Sequence, residues 1–438
     1  MRARVLLLAG AMATLAACQP AGLFPVAEPT GDYVPGQLLV RFRPDIRPEG
    51  AMAVFRAMGA AETTELMDGL WRVAVPVGQE RAQMDRYRGM RSVAYTEVNR
   101  RLSTQMVGGF RPAERSIQAG PPSDPLYTAN PRINEVVREG LPGQWGLGVS
   151  KVLDAWDRTQ GKADVTVAVL DTGADMSHED LVGGLDKANA RNFMAGEDVA
   201  NPDDDFGHGT HVAGIIAARA NNGLGIAGVA PGCRVMPIRV LGVEGGTTAS
   251  LIQGLNWAIE KKARVINMSL GSNQYSRAEE DAIKRALGAG IVVVAAAGNE
   301  ALSGNPLSYP GAIDGVISVA AIRRDKDANG ADVYSRAEFS NFNPFVTIAA
   351  PGVDILSTLP QRFRSPDKVY DYPYGYASGT SMAAPLVSGV VALMLSAHPD
   401  WGPAQVMTAL RKSAMDMAPA GLDAMFGAGL IQAGGAVQ

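Results

Sequence analysis

From Asp124 onward, five apolar, β-branched runs recur between segments of helical periodicity: "VTVAVLD" (165–171), "RVMPIRVL" (234–241), "RVINMSLG" (264–271), "IVVVAAAGN" (291–299) and "VISVAAI" (316–322). None alternates polar with apolar as a half-solvated strand would, so each must be covered on both faces, the condition of a parallel sheet clothed by crossover helices. Helical patterns over 208–220, 251–263 and 276–288 fall between them. That order predicts an α/β fold: a doubly wound, mainly parallel sheet with helices on both faces. Sites in such sheets gather at the carboxyl ends of strands and the amino ends of the helices that follow.

The chain ahead of this region divides differently. Residues 1–18 read as an export signal, with Arg2 and Arg4 in a basic head, an apolar run and small residues leading to Cys18. Residues 19–32 read as a tether. In 33–100, "GQLLVRFRP" and "GLWRVAVPVG" alternate like strands, "EGAMAVFRAMGA" and "GQERAQMDRYRGM" read as helices, and "SVAYTEV" closes the set. With a further strand near 62–67 this predicts a small α+β, ferredoxin-like βαββαβ domain. Its net charge is positive and that of 117–438 negative, which invites docking of one on the other. Residues 101–123, rich in Gly, Pro, Ser and Gln, read as an exposed linker and a cleavage site. The domain of 124–438 completes the chain of 438 residues.

Once Cys18 is set aside only Cys233 remains, so the exported chain has no intrachain disulfide to form, and Cys233 reads as a small buried hydrophobe. The segment "SMAAPLVSGVVALMLSAHP" is long and apolar, but Pro385 and Gly389 favour a helix buried in protein over a membrane span.

Two of the four histidines stand in "DFGHGTHVAG". Helical metal ligands sit i, i+4 with a Glu beside them, as in H-E-x-x-H, and "HGTH" has neither feature. Asp171 closes a strand, His208 opens a helix, and Ser381 in "SGTSMAAP" opens another. A serine hydroxyl is a weak nucleophile that needs an imidazole to take its proton, and the imidazole needs a carboxylate to fix its tautomer. Asp171, His208 and Ser381 are therefore the catalytic candidates.

The motifs "VLDTGADMSHEDL", "GHGTHVAG", "VVVAAAGNE" and "GTSMAAP", in that order, resemble the subtilisin family of serine proteases. The resemblance implies Asp171 as orienting acid, His208 as base, Ser381 as nucleophile and Asn299 as oxyanion-hole donor, with His211 in a packing role. It implies that Ser269, Leu270 and Gly271 form the edge on which substrates pair, and that Ala296, Ala297 and Gly298 line the pocket for the residue before the scissile bond. Small wall residues hint at large apolar side chains in that pocket. His178 and His398 are assigned to local structure. Leu386 stands where the family usually has His, away from the catalytic positions.

"ARANNGLGIAG" resembles a calcium loop of the family, which would join Asn222 to Asp180 and Asp124; an ion-free Asn-Asn-Gly turn is the alternative. "LAAC" resembles the lipobox of bacterial lipoproteins, implying lipidation of Cys18 and a membrane anchor. The 33–100 domain fits the family's propeptide, which would inhibit the enzyme from within the same chain; a peptide-binding or tethering module is the alternative. The expectation is an exported bacterial serine endopeptidase made as a zymogen, acting on peptides or proteins without a catalytic cofactor or nucleic acid. Two rivals remain: a peptide ligase or cyclase using the same acyl-enzyme, and a non-catalytic binding protein on a protease fold.

Overall fold

The computed structural model describes residues 31–112, 124, 143–361 and 373–438, with the backbone of 364–365 and 368–369 between the last two. Cys18, the signal segment, most of the tether and 113–123 lie outside the described residues.

The N-terminal domain runs β1 (Tyr33–Phe42), α1 (Pro48–Met58), β2 (Thr63–Met67), β3 (Leu70–Ala74), α2 (Glu80–Arg88) and β4 (Val93–Thr104). Its antiparallel sheet has the order β2-β3-β1-β4. Alternation along β1 sends Leu38, Val40 and Phe42 to a core with Phe55, Met84 and Tyr87 from the two helices, and Leu39 to the opposite face. That opposite face, with Leu66 and Leu70, is buried against the larger domain.

The expected linker over 101–123 is corrected for its first twelve residues. β4 continues to Thr104, and a further strand, β5 (Val107–Pro112), follows after two residues. Gly, Gln and Pro marked this stretch as loop because its strand character comes from edges supplied by other parts of the chain.

The larger domain begins with α3 (Trp145–Val149), α4 (Val152–Trp156), β6 (Thr166–Asp171), β7 (Arg191–Asn192), α5 (His208–Ala217) and β8 (Arg234–Arg239). Next come β9 (Leu241–Gly242), β10 (Gly245–Thr247), α6 (Thr248–Glu260), β11 (Val265–Met268), β12 (Leu270–Gly271), α7 (Arg277–Gly288) and β13 (Val292–Ala296). β14 (Ile317–Lys326), β15 (Asp332–Arg336), β16 (Val346–Pro351), β17 (Ile355–Thr358), β18 (Arg364–Ser365), β19 (Lys368–Val369) and β20 (Tyr374–Ser378) follow. α8 (Thr380–Ala397), α9 (Pro403–Ser413) and α10 (Ala433–Ala436) close the domain.

The central sheet has the order β15-β14-β13-β11-β6-β8-β7, with β16 also on β14, and every pairing but β14–β15 is parallel. Period-2 alternation feeds two cores. Val167, Val169, Val235, Val292 and Val294 pack with α5 and α8, whereas Ala168, Leu170, Met236, Ile266 and Val293 pack with α6 and α7. The doubly wound reading rests on this two-sided burial. α6 starts three residues before its expected position because Thr247 and Ser250 form a reciprocal cap. α8 is buried almost throughout, so its apolar length belongs to the core.

Candidate active site

β6 ends on Asp171, whose Oδ1 accepts from the Thr172 N–H at 2.7 Å and lies 2.7 Å from His208 Nδ1. Both side chains are fully buried. Nδ1 therefore carries the proton, which leaves Nε2 of His208 as the basic lone pair; that atom is buried without a partner.

His208 owes its place to the loop before it. The Asp204 carboxylate accepts from the N–H groups of Phe206, Gly207 and Thr210 and from the hydroxyls of Thr172 and Thr210, at 2.7–3.0 Å. Burial pushes the Asp204 pKa up while these donors pull it down. Gly209 passes so close to the turn after β6 that a Cβ there would lie 2.1 Å from the Gly173 oxygen. Helix and turn touch through backbone at this point, and the glycine is required.

Ser381 opens α8 and is fully buried. Its Oγ donates to the Ser269 carbonyl at 2.9 Å, so the hydroxyl is engaged there and not with His208 Nε2, which has no partner. Pro385 has no N–H for the Ser381 carbonyl four residues earlier. The Ser269 hydroxyl takes that role, donating to it at 2.9 Å, and so ties the nucleophile's helix to the segment between β11 and β12.

Asn299 follows β13. Its Oδ1 accepts from the Thr380 N–H and the Thr380 hydroxyl, both at 2.9 Å; an N–H can only donate, which fixes the orientation of the amide. Nδ2 is left buried with no partner, 3.3 Å from where a Cβ on Gly379 would stand, and an amide free to donate is what an oxyanion donor needs. Sequence reasoning missed Thr380; its adjacency to the nucleophile was the available signal.

The cleft is occupied by the chain's own β4–β5 segment. Leu102 pairs with Gly246 of β10, and Thr104 and Ser103 pair with Leu270 and Gly271 of β12, so the end of β4 runs antiparallel between two edges. The Gln105 N–H donates to the Ser269 oxygen at 3.2 Å, and the Gln105 carbonyl accepts from the Ser381 N–H at 2.9 Å. A Cβ on Gly379, at φ +152°, would lie 2.4 Å from that carbonyl, so only glycine lets the peptide approach. The β10 edge and the occupying segment were missed in the sequence, because strands of two or three residues carry no periodic signal.

Ser269, Leu270 and Gly271 thus stand together along the occupied edge, and Gly271 walls the Gln105 side chain: a Cβ there would lie 3.1 Å from Nε2. Ala296, Ala297 and Gly298 lie buried where β13 leads to Asn299. The side chain seated beside Gly271, on the residue whose carbonyl meets the Ser381 N–H, is that of Gln105, which is polar.

His211 donates from Nε2 to the Ile355 or Gly375 oxygen, each 3.1 Å away, and burial, then the charge of His208, pushes its pKa down to about 3. It is neutral and structural. His178 lies 3.0 Å from the Pro373 oxygen, and His398 stacks on Trp401. Cys233 is buried 3.6 Å from the Ser396 hydroxyl. Leu386 packs in the core of α8.

Asp124, Asp180 and Asn222 also meet. The Asp124 carboxylate accepts from the Asn221 and Asn222 N–H groups at 2.8 and 3.1 Å, and Asp180 accepts from Asn222 Nδ2 at 2.7 Å and from the Ile226 N–H at 3.0 Å. Burial, with the Asp124 charge adding to it, pushes the Asp180 pKa up to about 7. Two carboxylates from separate segments that meet at the 221–226 loop, with amides and a phenol as hydrogen-bond partners, suit a hard cation in charge. Among the described residues, though, no three His, Cys, Asp or Glu side chains cluster as a metal site.

A buried carboxylate–imidazole pair, a hydroxyl at a helix start, an N–H that holds a carbonyl oxygen and a buried amide free to donate are the parts that a hydrolase acting on acyl groups needs. Comparison with known proteins narrows this. Residues 162–429 match the model of the Subtilase family. A thermostable alkaline protease of Halalkalibacterium halodurans is 39% identical over 317 residues, 72% of this chain and 79% of that one. Subtilisin DY of Bacillus licheniformis is 40% identical over 63% of this chain and 92% of its own. Fervidolysin from Fervidobacterium pennivorans, a keratinolytic enzyme related to subtilisin, superposes with a TM-score of 0.75 at 28% identity, covering 93% of this chain and 61% of that one. The chain belongs to the subtilase family and is a subtilisin-like serine protease, a hydrolase of peptide or protein substrates.

Proposed function

We propose that this chain is an exported serine endopeptidase made as a self-inhibited precursor, with Ser381 as nucleophile, His208 as general acid and base, Asp171 as its orienting carboxylate, and Asn299 with the Ser381 N–H as oxyanion donors. The observation that carries the reading is a peptide carbonyl, that of Gln105, held on the Ser381 N–H while His208 Nε2 stands unpartnered. In the working enzyme, Ser381 Oγ gives its proton to His208 Nε2 as it attacks the substrate carbonyl. The oxyanion gathers on Asn299 Nδ2 and the Ser381 N–H. His208 then protonates the leaving amine and activates the water that frees the acyl group.

The domain of 33–100 acts as an intramolecular inhibitor, its β4 filling the substrate edge. Export follows from residues 1–18, with lipidation of Cys18 as membrane anchor, and Asp124, Asp180 and Asn222 hold a structural calcium ion. The test is product analysis on a mixed peptide library. Fragments carrying new carboxyl and amino termini support hydrolysis. Joined fragments would assign the acyl group to an amine acceptor and make the chain a ligase or cyclase. No turnover by processed protein would make it a binding protein.

A further inference from the structure

Pro385 interrupts α8 four residues after Ser381, so the turn that carries the nucleophile lacks the backbone bond its carbonyl would otherwise make. The Ser269 hydroxyl replaces that bond, and the exchange is reciprocal. Ser269 Oγ donates to the Ser381 carbonyl and Ser381 Oγ donates to the Ser269 carbonyl, both at 2.9 Å. Two residues 112 positions apart thus hold each other by hydroxyl and carbonyl.

The grip does not end at Ser269. Asn267 Nδ2 donates to Ser269 Oγ at 3.0 Å, and the Ser388 hydroxyl donates to Asn267 Oδ1 at 2.8 Å. Asn267 lies in β11 between β6 and β13, in step with Val265, whose side chain packs with α5 and α8. All four side chains are fully buried. Their chemistry fixes the direction of every proton. A carbonyl oxygen can only accept, so the Ser269 proton points to Ser381; the Ser269 oxygen then takes the Asn267 amide nitrogen as its donor, which leaves Oδ1 for the Ser388 proton. A chain aligned in this way polarises cooperatively in a dry core.

We propose that Asn267, Ser269 and Ser388 are positioning residues of the nucleophile: a buried brace that leaves α8 at Ser388, crosses β11 and returns to α8 at Ser381, spanning the break at Pro385 and fixing the reactive turn to the strand edge on which substrates pair. This rests on the protease reading. Because the Ser269 carbonyl also accepts from the Gln105 N–H in the cleft, one residue sets the backbone of a bound peptide and the nucleophile together. The Ser381 N–H and Oγ both swing with that residue's backbone, and a misplacement of about 1 Å at a reacting centre costs on the order of 10²-fold in rate.

Cutting the brace at different points has ordered effects. Ser269→Ala strands the Ser381 carbonyl in the core and should lower kcat by about 10²-fold. Ser388→Ala leaves Ser269 bonded to Ser381 but frees the Asn267 amide to turn, and should lower kcat by about three- to tenfold. With the Ser269 hydroxyl gone, Ser388 has nothing left to transmit, so the double variant should be no slower than Ser269→Ala. KM should stay constant throughout, because the edge pairs through backbone that alanine keeps. Serines that only filled the core would lower Tm and leave kcat per active site untouched.

The experiment measures kcat and KM on a peptide p-nitroanilide for the processed enzyme, Ser388→Ala, Ser269→Ala and the double variant. Each rate is divided by the sites titrated with a fluorophosphonate, so that unfolded molecules do not count. Neutron diffraction of the native enzyme locates the hydroxyl deuterons. A graded loss in which the double variant equals Ser269→Ala at constant KM, with the Ser269 deuteron on the Ser381 carbonyl, supports the proposal. Native kcat in Ser388→Ala, additive losses in the double variant, or a Ser269 deuteron aimed elsewhere overturns it even while the native enzyme hydrolyses and labels. Where a variant yields no titratable site, the deuteron position decides. A native enzyme that neither hydrolyses nor labels overturns the protease reading and the proposal with it.

Discussion

Glu97 is the polar pin of the docked N-terminal domain. It lies on β4, is 4% exposed, and meets the amino end of α7: Oε1 accepts from the Ser276 hydroxyl at 2.6 Å and the Ala278 N–H at 3.2 Å, Oε2 from the Arg277 N–H at 3.1 Å. Hydrogen bonds to a charged acceptor contribute about 1.5–3 kcal/mol each, and the helix dipole adds to them. Two terms oppose. Burial pushes the Glu97 pKa up, and Glu279 is buried nearby with both oxygens unpartnered. Glu97→Ala removes three contacts and one repulsion while stranding the α7 donors, a net loss of about 3 kcal/mol or on the order of 10²-fold in docking affinity. The assay is dilution of the processed, non-covalent complex, reading peptidase activity as the N-terminal domain dissociates. The midpoint should move by about two decades in concentration. A shift under threefold would refute the reasoning, because the apolar face of Leu39, Leu66 and Leu70 would then be carrying the interface alone.

Glu279 makes that docking pH-dependent. Burial, then the Glu97 charge, pushes its pKa up to about 8, against 4.5 when solvated. The docked state therefore binds a proton that the open state releases; docking is strongest below about pH 4.5 and weakens as pH rises to about 8. Dilution midpoints measured across that window should rise with pH in the native protein and rise less steeply in Glu279→Gln, the remaining slope coming from Glu97, whose pKa burial also raises; an unchanged slope would remove Glu279 from the effect. Thr380→Val deletes one of two donors locking the Asn299 amide, so kcat should fall about tenfold with KM little changed; equal kcat would show that the Thr380 N–H suffices. Asp180→Asn should lower Tm in calcium and leave it unchanged in chelator, and equal losses in both would exclude calcium from the loop.

How far the sequence went depended on where the information lay. Strands such as β6 and β13 were legible because burial on both faces demands an unbroken apolar run; the places of Asp171, His208 and Ser381 were legible because each ends a strand or opens a helix, and that of Asn299 because it lies in the turn that follows β13. Residues 101–112 were not, because their strand character comes from β10, β12 and β20 rather than from their own Gly, Gln and Pro. Nor could the sequence show that Ser269 would stand in for the N–H that Pro385 lacks, or that the Ser381 hydroxyl would rest on the Ser269 carbonyl. Those depend on two segments over a hundred residues apart meeting to within a hydrogen bond.

The central claim is that Ser381, activated by His208, carries the acyl group. The direct measurement is peptide mapping by mass spectrometry after the processed enzyme is treated with a fluorophosphonate. A single adduct on the peptide holding Ser381, formed rapidly in the native protein and slowed by at least about 10³-fold in His208→Ala, is the result predicted. An adduct on another residue, or equal labelling with and without His208, would contradict the account.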